Sequence, residues 1–425
     1  MPNATSPTKS SPLPAITGRI GNHSSHNPSD QFPIFNELIP SNGTPCTYNN
    51  HKIQLELELG LIVRRIVSVA AALILSAAGA GAAKAAPATN EVSIEGTKTI
   101  EFSQSTARSV VDFWTPDRLR QAAENAQPVP TITAEAARRA HEKAERNQKK
   151  TQQGGPVAAD SVAPERQNKA AASPMATSAT IADRSYSDLA SPLGPDINIT
   201  GRLFYTVGDR LGSCTAAGIV SNNKNSIWTA GHCLHSGGKS GSFHSNFLFA
   251  PGYDETAPWG YWPLRTGVVS AGWSDDADLL WSDIAGGIVF PNSQFGNLQD
   301  WLGAYGYQFN GNTDINNVTS LGYPSDGYNR TSASLHDGAK PMYCHGTAVD
   351  AGNWNPLDNR LKLACDMGHG ASGGPQIVNF GGNNQIVGAN SHRLVDANNN
   401  FVENYLYSSN HGSAAVGVIN WLNAH

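Results

Sequence analysis

The chain has 425 residues, of which 15% are charged and 42 are glycine, with 29 Lys and Arg against 34 Asp and Glu for a net charge of −5. So little charge with so much glycine argues against a coiled coil or a helical repeat, and the absence of a basic balance argues against a nucleic-acid or acidic-membrane partner. The composition is also uneven, since 27 of the 34 aromatic residues fall in 196–425, together with ten Lys and Arg against 17 Asp and Glu. Large apolar side chains make cores, so the folded body is expected in 196–425.

Residues 1–62 form a Ser-, Asn- and Pro-rich extension with no apolar period, too polar to bury a core. At Arg64-Arg65 a short basic region begins, followed by an apolar run from Ile66 to Ala83 and the small-residue pattern Ala83-Lys84-Ala85-Ala86-Pro87. That order reads as a secretory signal over 63–86 with an Ala-x-Ala cleavage site, in preference to a membrane anchor. Signals sit at N-termini, so translation is expected to start near Val63, with 1–62 outside the natural product. Export places the protein outside the cell.

Residues 87–195 are expected to be a largely disordered pro-region and linker acting in cis, with solvated helices over Asp117–Asn125 and Ala134–Lys149 and a tether from Thr151 to Asp188. From 196 onward the texture is short apolar runs between turn residues: Arg202–Val207, Ala216–Val220, Ser226–Thr229, Phe243–Ala250, Gly287–Phe290, Gln376–Val378 and Gln385–Ala389. Such spacing indicates strands of a sandwich or barrel. At the end, Ala415, Val418, Ile419 and Leu422 share one helical face. An all-β domain with a terminal helix is the expected class.

Cys46 lies in the part expected to be lost, leaving Cys214, Cys233, Cys344 and Cys365. An even number in an exported chain, with no Cys-x-x-Cys pair, favours disulfides over a metal site. Local pairing, Cys214 with Cys233 and Cys344 with Cys365, would close loops of about twenty residues, worth about 3 kcal/mol each.

Two stretches carry chemistry: Trp228-Thr229-Ala230-Gly231-His232-Cys233 and Gly370-Ala371-Ser372-Gly373-Gly374-Pro375. A serine hydroxyl needs a positioned base to become a nucleophile, and histidine is the usual one. Glycines around Ser372 allow the backbone N–H groups of Gly370 and Ser372 to point at one developing oxyanion. Together the two stretches resemble the trypsin/chymotrypsin-like serine endopeptidases, in particular secreted bacterial members with a pro-region, over about residues 200–425.

That resemblance implies two six-stranded antiparallel Greek-key barrels, about 200–300 and 301–412, with the terminal helix over 413–424. It implies that Cys233 bridges to Cys214, and that an acid lies between His232 and Ser372. Asp283 is the expected acid, with Asp278 as runner-up. It further implies peptide or protein substrates, an acyl-enzyme, no cofactor and no metal; a monomer is expected. Trypsin-like enzymes usually carry Asp before the nucleophile, where Ala371 stands here, so a preformed active site is expected. Asp366, six residues before Ser372, occupies the place of a carboxylate receptor for Arg or Lys, with backbone capping as the plainer role. Ser391 and His392 are expected to line the substrate site, and His392 would suit an acidic side chain instead. Five other histidines, His235, His244, His336, His345 and His411, are expected on the surface.

Two other readings compete. Gly370-Ala371-Ser372-Gly373-Gly374 also fits the Gly-x-Ser-x-Gly elbow of an α/β-hydrolase esterase, which requires a strand before the serine and a helix after it. The third reading is a protease-like binding protein without turnover.

Overall fold

The structure is a computed structural model; it describes residues 90–148 (apart from 95), 155–165, 184–190, 193–351 and 360–425. The extension over 1–62 and the signal over 63–86 lie outside the described residues. Among the described residues, no helix is long and apolar enough to cross a membrane.

The leader contributes five strands, β1 (Asn90–Ile94), β2 (Thr97–Glu101), β3 (Thr131–Thr133), β4 (Val157–Ala159) and β5 (Arg184–Leu189), and three helices, α1 (Gln104–Phe113), α2 (Pro116–Glu124) and α3 (Ala134–Gln148). The body follows with β6 (Thr200–Val207), β7 (Arg210–Gly218), β8 (Ser226–Thr229), β9 (Ser245–Pro251), β10 (Trp262–Ser270) and β11 (Ala285–Val289). These six pair in the cyclic order β6-β7-β8-β11-β10-β9 and close a first antiparallel barrel. After β12 (Gly306–Phe309) come β13 (Ile315–Gly322), β14 (Met342–Asp350), β15 (Leu361–Ala364), β16 (Pro375–Val378), β17 (Gln385–Val395) and β18 (Tyr405–Ser408). They close a second barrel in the order β13-β14-β15-β18-β17-β16. Helix α4 (Ser413–Ala424) ends the chain.

Closure leaves neither barrel with a free edge around its circumference. Leu203, Ile227, Phe249, Leu264 and Val289 fill the first barrel, and Val318, Met342, Leu363, Val387 and Leu406 fill the second. Between them lies a shared core of Ala217, Trp228, Ile284, Tyr305, Leu321 and Ile377, onto which α4 packs Ala415, Val418, Ile419 and Leu422. The two-barrel expectation and the terminal helix therefore hold. The apolar runs found β6, β8, β9, β16 and the start of β17, caught the ends of β7 and β11, and missed β10, β12, β13, β14, β15 and β18.

The leader departs from the expectation of a largely disordered segment. Both expected helices form, but α2 is amphipathic, burying Leu119, Ala122 and Ala123, and the chain before it buries Ile100, Phe102 and Val110. Ser103 and Thr115 cap α1 and α2, accepting from Thr106 N and Arg118 N. Val110, Trp114, Leu119 and Ala122 then form a core with Phe204, Leu248, Tyr253 and Tyr323 of the body. Burying Val110 and Leu119 alone contributes about 2 kcal/mol each. Strand β2 extends the first barrel sheet along β10, while β3, β4 and β5 pair with β17, β12 and β14.

Candidate active site

His232 sits on a single helical turn, Gly231–Leu234, directly after β8. Asp283 lies two residues before β11, and Ser372 lies three residues before β16, so the first two come from one barrel and the serine from the other. The disulfide Cys214–Cys233 ties the His232 turn to β7. On β7, Thr215 N–H donates to Ser372 O (2.8 Å) and Thr215 Oγ1 donates to Gly370 O (2.9 Å). One strand thus holds the histidine turn by a covalent bond and the serine turn by two hydrogen bonds. The second expected disulfide, Cys344–Cys365, also forms, linking β14 to the segment that carries Asp366.

Asp283 is fully buried and accepts three hydrogen bonds. His232 N–H reaches Oδ1 at 2.7 Å, His232 Nδ1–H reaches Oδ2 at 2.9 Å, and Ser391 Oγ–H reaches Oδ2 at 2.6 Å. Burial would raise this carboxyl, but the His232 charge and the bonds from His232 and Ser391 outweigh it and hold it below the usual carboxylate range. With Nδ1 committed to a carboxylate, Nε2 is the ring atom left to exchange a proton. His232 Nε2 and Ser372 Oγ are both buried, and neither makes a hydrogen bond in this state. The runner-up acid, Asp278, lies elsewhere: its carboxylate accepts from Trp281 N (3.2 Å), and burial raises it above the usual range.

The turn bearing the serine needs its glycines. Gly370 has φ +88° and Gly373 φ +78°, both left-handed. A Cβ on Gly370 would approach Ala126 Cβ at 2.8 Å, and one on Gly373 would collide with Thr229 Oγ1 and Thr215 O. Ala371 is buried, with no carboxylate for a new N-terminal amine to pair with.

Three expected site residues prove to be built into the interior. The Asp366 carboxylate is 3% exposed and already paired: Arg330 Nη1 donates to Oδ2 at 2.7 Å and Ser187 N–H to Oδ1 at 2.6 Å. A carboxylate so partnered is not an open receptor for a substrate cation, so the backbone-capping role is the one the geometry fits. Ser391 spends its hydroxyl proton on Asp283, which leaves its lone pair to accept from His392 Nδ1–H at 3.1 Å. His392 stacks on Tyr407 and is fully enclosed, and burial pushes it down to about 3.

The expectation of surface histidines fails for four of five. His235, His244, His345 and His411 are buried, and only His336 is exposed. His244 stacks on Tyr205 and bonds His232 O, while His411 accepts from Trp228 Nε1. Burial lowers both to about 4. Sequence reasoning also missed Arg202 and Arg393, two fully buried guanidiniums. Arg393 donates to the carbonyls of Cys365, Met367 and Glu403 and so pins the Asp366 segment to β17. For Arg202 the signal was a lone Arg opening the apolar run Leu203-Phe204-Tyr205; Arg393 follows Asn390-Ser391-His392 and gave no such signal.

No family model and no curated protein sequence matches the chain. Among solved structures it is similar to the protease Anisep from Arthrobacter nicotinovorans, at 26% identity and TM-score 0.46 over 54% of this chain and 97% of that one. It is similar also to the thermostable serine protease AL20 of an extremophilic microorganism, at 27% and 0.46 over 54% and 99%. A Glu endopeptidase matches at 20% and 0.43 over 57% and 98%. By its own strand order, with two closed six-stranded antiparallel barrels and a terminal helix, the chain has the fold of the trypsin/chymotrypsin type.

Proposed function

We propose that the chain is an exported serine endopeptidase, made with its leader, that hydrolyses peptide bonds through a His232–Asp283–Ser372 triad. The observation that carries this reading is the double hold of Asp283 on His232, at the backbone N–H and at Nδ1, with Ser391 as third donor. That arrangement fixes the ring's orientation and leaves Nε2 to act as base. In the proposed reaction Nε2 takes the Ser372 proton as Oγ bonds to the substrate carbonyl carbon. The imidazolium then gives that proton to the departing amine as the C–N bond breaks, leaving an acyl-enzyme that water hydrolyses by the same steps. Gly370 and Ser372 N–H groups would stabilise the oxyanion. The hydrogen bond between Ser372 and His232 is expected to form with substrate in place, since such bonds tighten in the Michaelis complex.

Proteins and peptides are the substrates of this reading, with no cofactor and with the leader acting in cis on a monomer. Asp366 has no part in choosing the side chain before the cut. Export accords with the two disulfides, which persist in oxidising compartments. The esterase alternative fails on architecture, because strand β16 follows Ser372 and no helix does. A binding protein without turnover is separated by experiment: the protein freed of its leader should hydrolyse casein or a mixed peptide library, and Ser372→Ala should not. Hydrolysis that survives Ser372→Ala, or a wild type inert under all leader-free conditions, overturns the proposal.

A further inference from the structure

We propose that residues 116–133 of the leader are an intramolecular inhibitor threaded through the substrate cleft, and that they remain a ligand of the body after the chain is cut beyond them. The inference rests on the peptidase reading and names what occupies that site. The segment enters along the first barrel. At the C-terminal end of α2, Ala123 O accepts from Arg202 Nη2 (2.8 Å) and Ala122 O from Ser213 Oγ (2.7 Å). A buried cation thus meets the negative end of the helix. Gln127 N–H donates to Ser213 O at 3.0 Å, and Gly370 N–H donates to Gln127 O at 3.2 Å. Gly370 N–H is one of the two donors assigned to the oxyanion, so while Gln127 holds it a substrate carbonyl cannot.

The chain then crosses to the second barrel. Arg393 N–H donates to Pro130 O at 3.1 Å, β3 pairs parallel with Arg393–Val395, and Thr131 Oγ1 donates to Asn399 Oδ1 at 3.1 Å. Farther on, His141 of α3 stacks on Trp281 and lies 3.3 Å from Arg360 Nη2. One continuous segment therefore bonds Ser213 of the barrel bearing His232 and Asp283, and Gly370 and Arg393 of the barrel bearing Ser372.

The peptide bond whose carbonyl meets Gly370 is Gln127–Pro128, a tertiary amide whose ring fills the place of the amide hydrogen. Pro128 and Pro130 also hold the residues before them extended, so the segment loses little freedom on docking. A tightly held, poorly cleavable stretch is what an inhibitor requires, and a good substrate would have neither property.

Two measurements on the full chain test this. A protease recognition site inserted between Lys150 and Thr151 in the Ser372→Ala protein allows nicking, after which the leader piece should co-elute with the body on gel filtration at micromolar concentration. Ala126→Arg, which drives a long side chain against Gly370, and Leu119→Ser, which empties the α2 anchor, should each free 116–133 from the cleft while β2 and α1 keep the piece attached. A wild-type leader piece that elutes alone overturns the inference whatever the activity. With Ser372 present, labelling by a fluorophosphonate follows the fraction of chain with an open cleft. The intact wild type should therefore label at least about tenfold more slowly than either variant. Equal rates in all three overturn the inference while leaving the peptidase reading intact; absence of label in every form, leader-free body included, instead sinks the peptidase reading.

Discussion

Replacing Asp283 with asparagine keeps the shape of the most enclosed carboxylate in the site and removes its charge. Its two oxygens accept from His232 N–H, His232 Nδ1–H and Ser391 Oγ–H at 2.7, 2.9 and 2.6 Å. Asparagine offers only one acceptor oxygen, so its amide nitrogen must face either the backbone N–H or the Nδ1–Ser391 pair. If it faces the pair, it donates to Nδ1 and moves the ring proton to Nε2, the atom that has to accept the Ser372 proton. Hydrogen bonds to a charged group contribute about 1.5–3 kcal/mol each. Losing two of them in the transition state, together with the wrong tautomer, raises the barrier by about 3–6 kcal/mol, or about 10²–10⁴ in turnover. The assay is kcat/KM on a peptide substrate with protein freed of its leader, alongside far-UV circular dichroism to establish folding. Asp278→Asn serves as the control, since that carboxylate caps Trp281 N, and it should stay within about tenfold of wild type. A folded Asp283→Asn protein with near wild-type turnover, or a loss carried by Asp278→Asn instead, would refute the reasoning.

Acid should destabilise the body early. His244 and His411 are held neutral at about 4 and His392 at about 3, all below the ordinary 6.5, so the unfolded chain binds more protons than the folded one between pH 6.5 and 4. Their contribution is complete above 6.5 and fades as pH falls through that window, by up to about 3 kcal/mol for a single histidine, with Asp283 adding its loss only below the carboxylate range. Thermal melts should show Tm falling across the window, and a Tm flat from pH 7 to 4 contradicts the assignment. Asp366→Asn should lower Tm, because Arg330 loses its buried partner, yet leave the cleavage profile on a peptide library unchanged; a lost preference for Arg or Lys would restore Asp366 as the specificity residue. Gly373→Ala should cost more than the ~1 kcal/mol of a left-handed alanine, because its Cβ meets Thr229 and Thr215, and activity should fall with stability. An active Gly373→Ala protein with an unchanged Tm would show that the turn has slack.

The parts of this molecule that the sequence made legible are those where local chemistry and tertiary structure agree. Gly231-His232-Cys233 and Gly370-Ala371-Ser372-Gly373 are short because each side chain is presented by a single tight turn, and Cys214 and Cys233 pair as local spacing and the resemblance both implied. Where polar residues are satisfied at long range, pattern reading failed. Asp366 stayed open between receptor and backbone cap because its partners, Arg330 and Ser187, are 36 and 179 positions away. His411 looked solvated because Trp228, which bonds it, lies 183 positions earlier. Strand β13 was passed over since Asn316, Asn317, Thr319 and Ser320 break the apolar run, yet barrel closure buries Thr319 and Ser320 completely. The leader misled most. The helix over Asp117–Asn125 read as solvated although Leu119, Ala122 and Ala123 marked one apolar face, and α1 was not expected at all although Thr106, Ala107 and Val110 mark another.

The central claim is that Ser372 is the nucleophile of a peptidase, and one measurement reaches it directly. The body freed of its leader is treated with a fluorophosphonate, digested and mapped by mass spectrometry, with residual peptide hydrolysis read on the same sample. A single phosphonyl adduct is expected, on Ser372, whose stoichiometry tracks the loss of activity one for one, with none formed in His232→Ala. An adduct on another serine, or full activity remaining after Ser372 is fully modified, would contradict it.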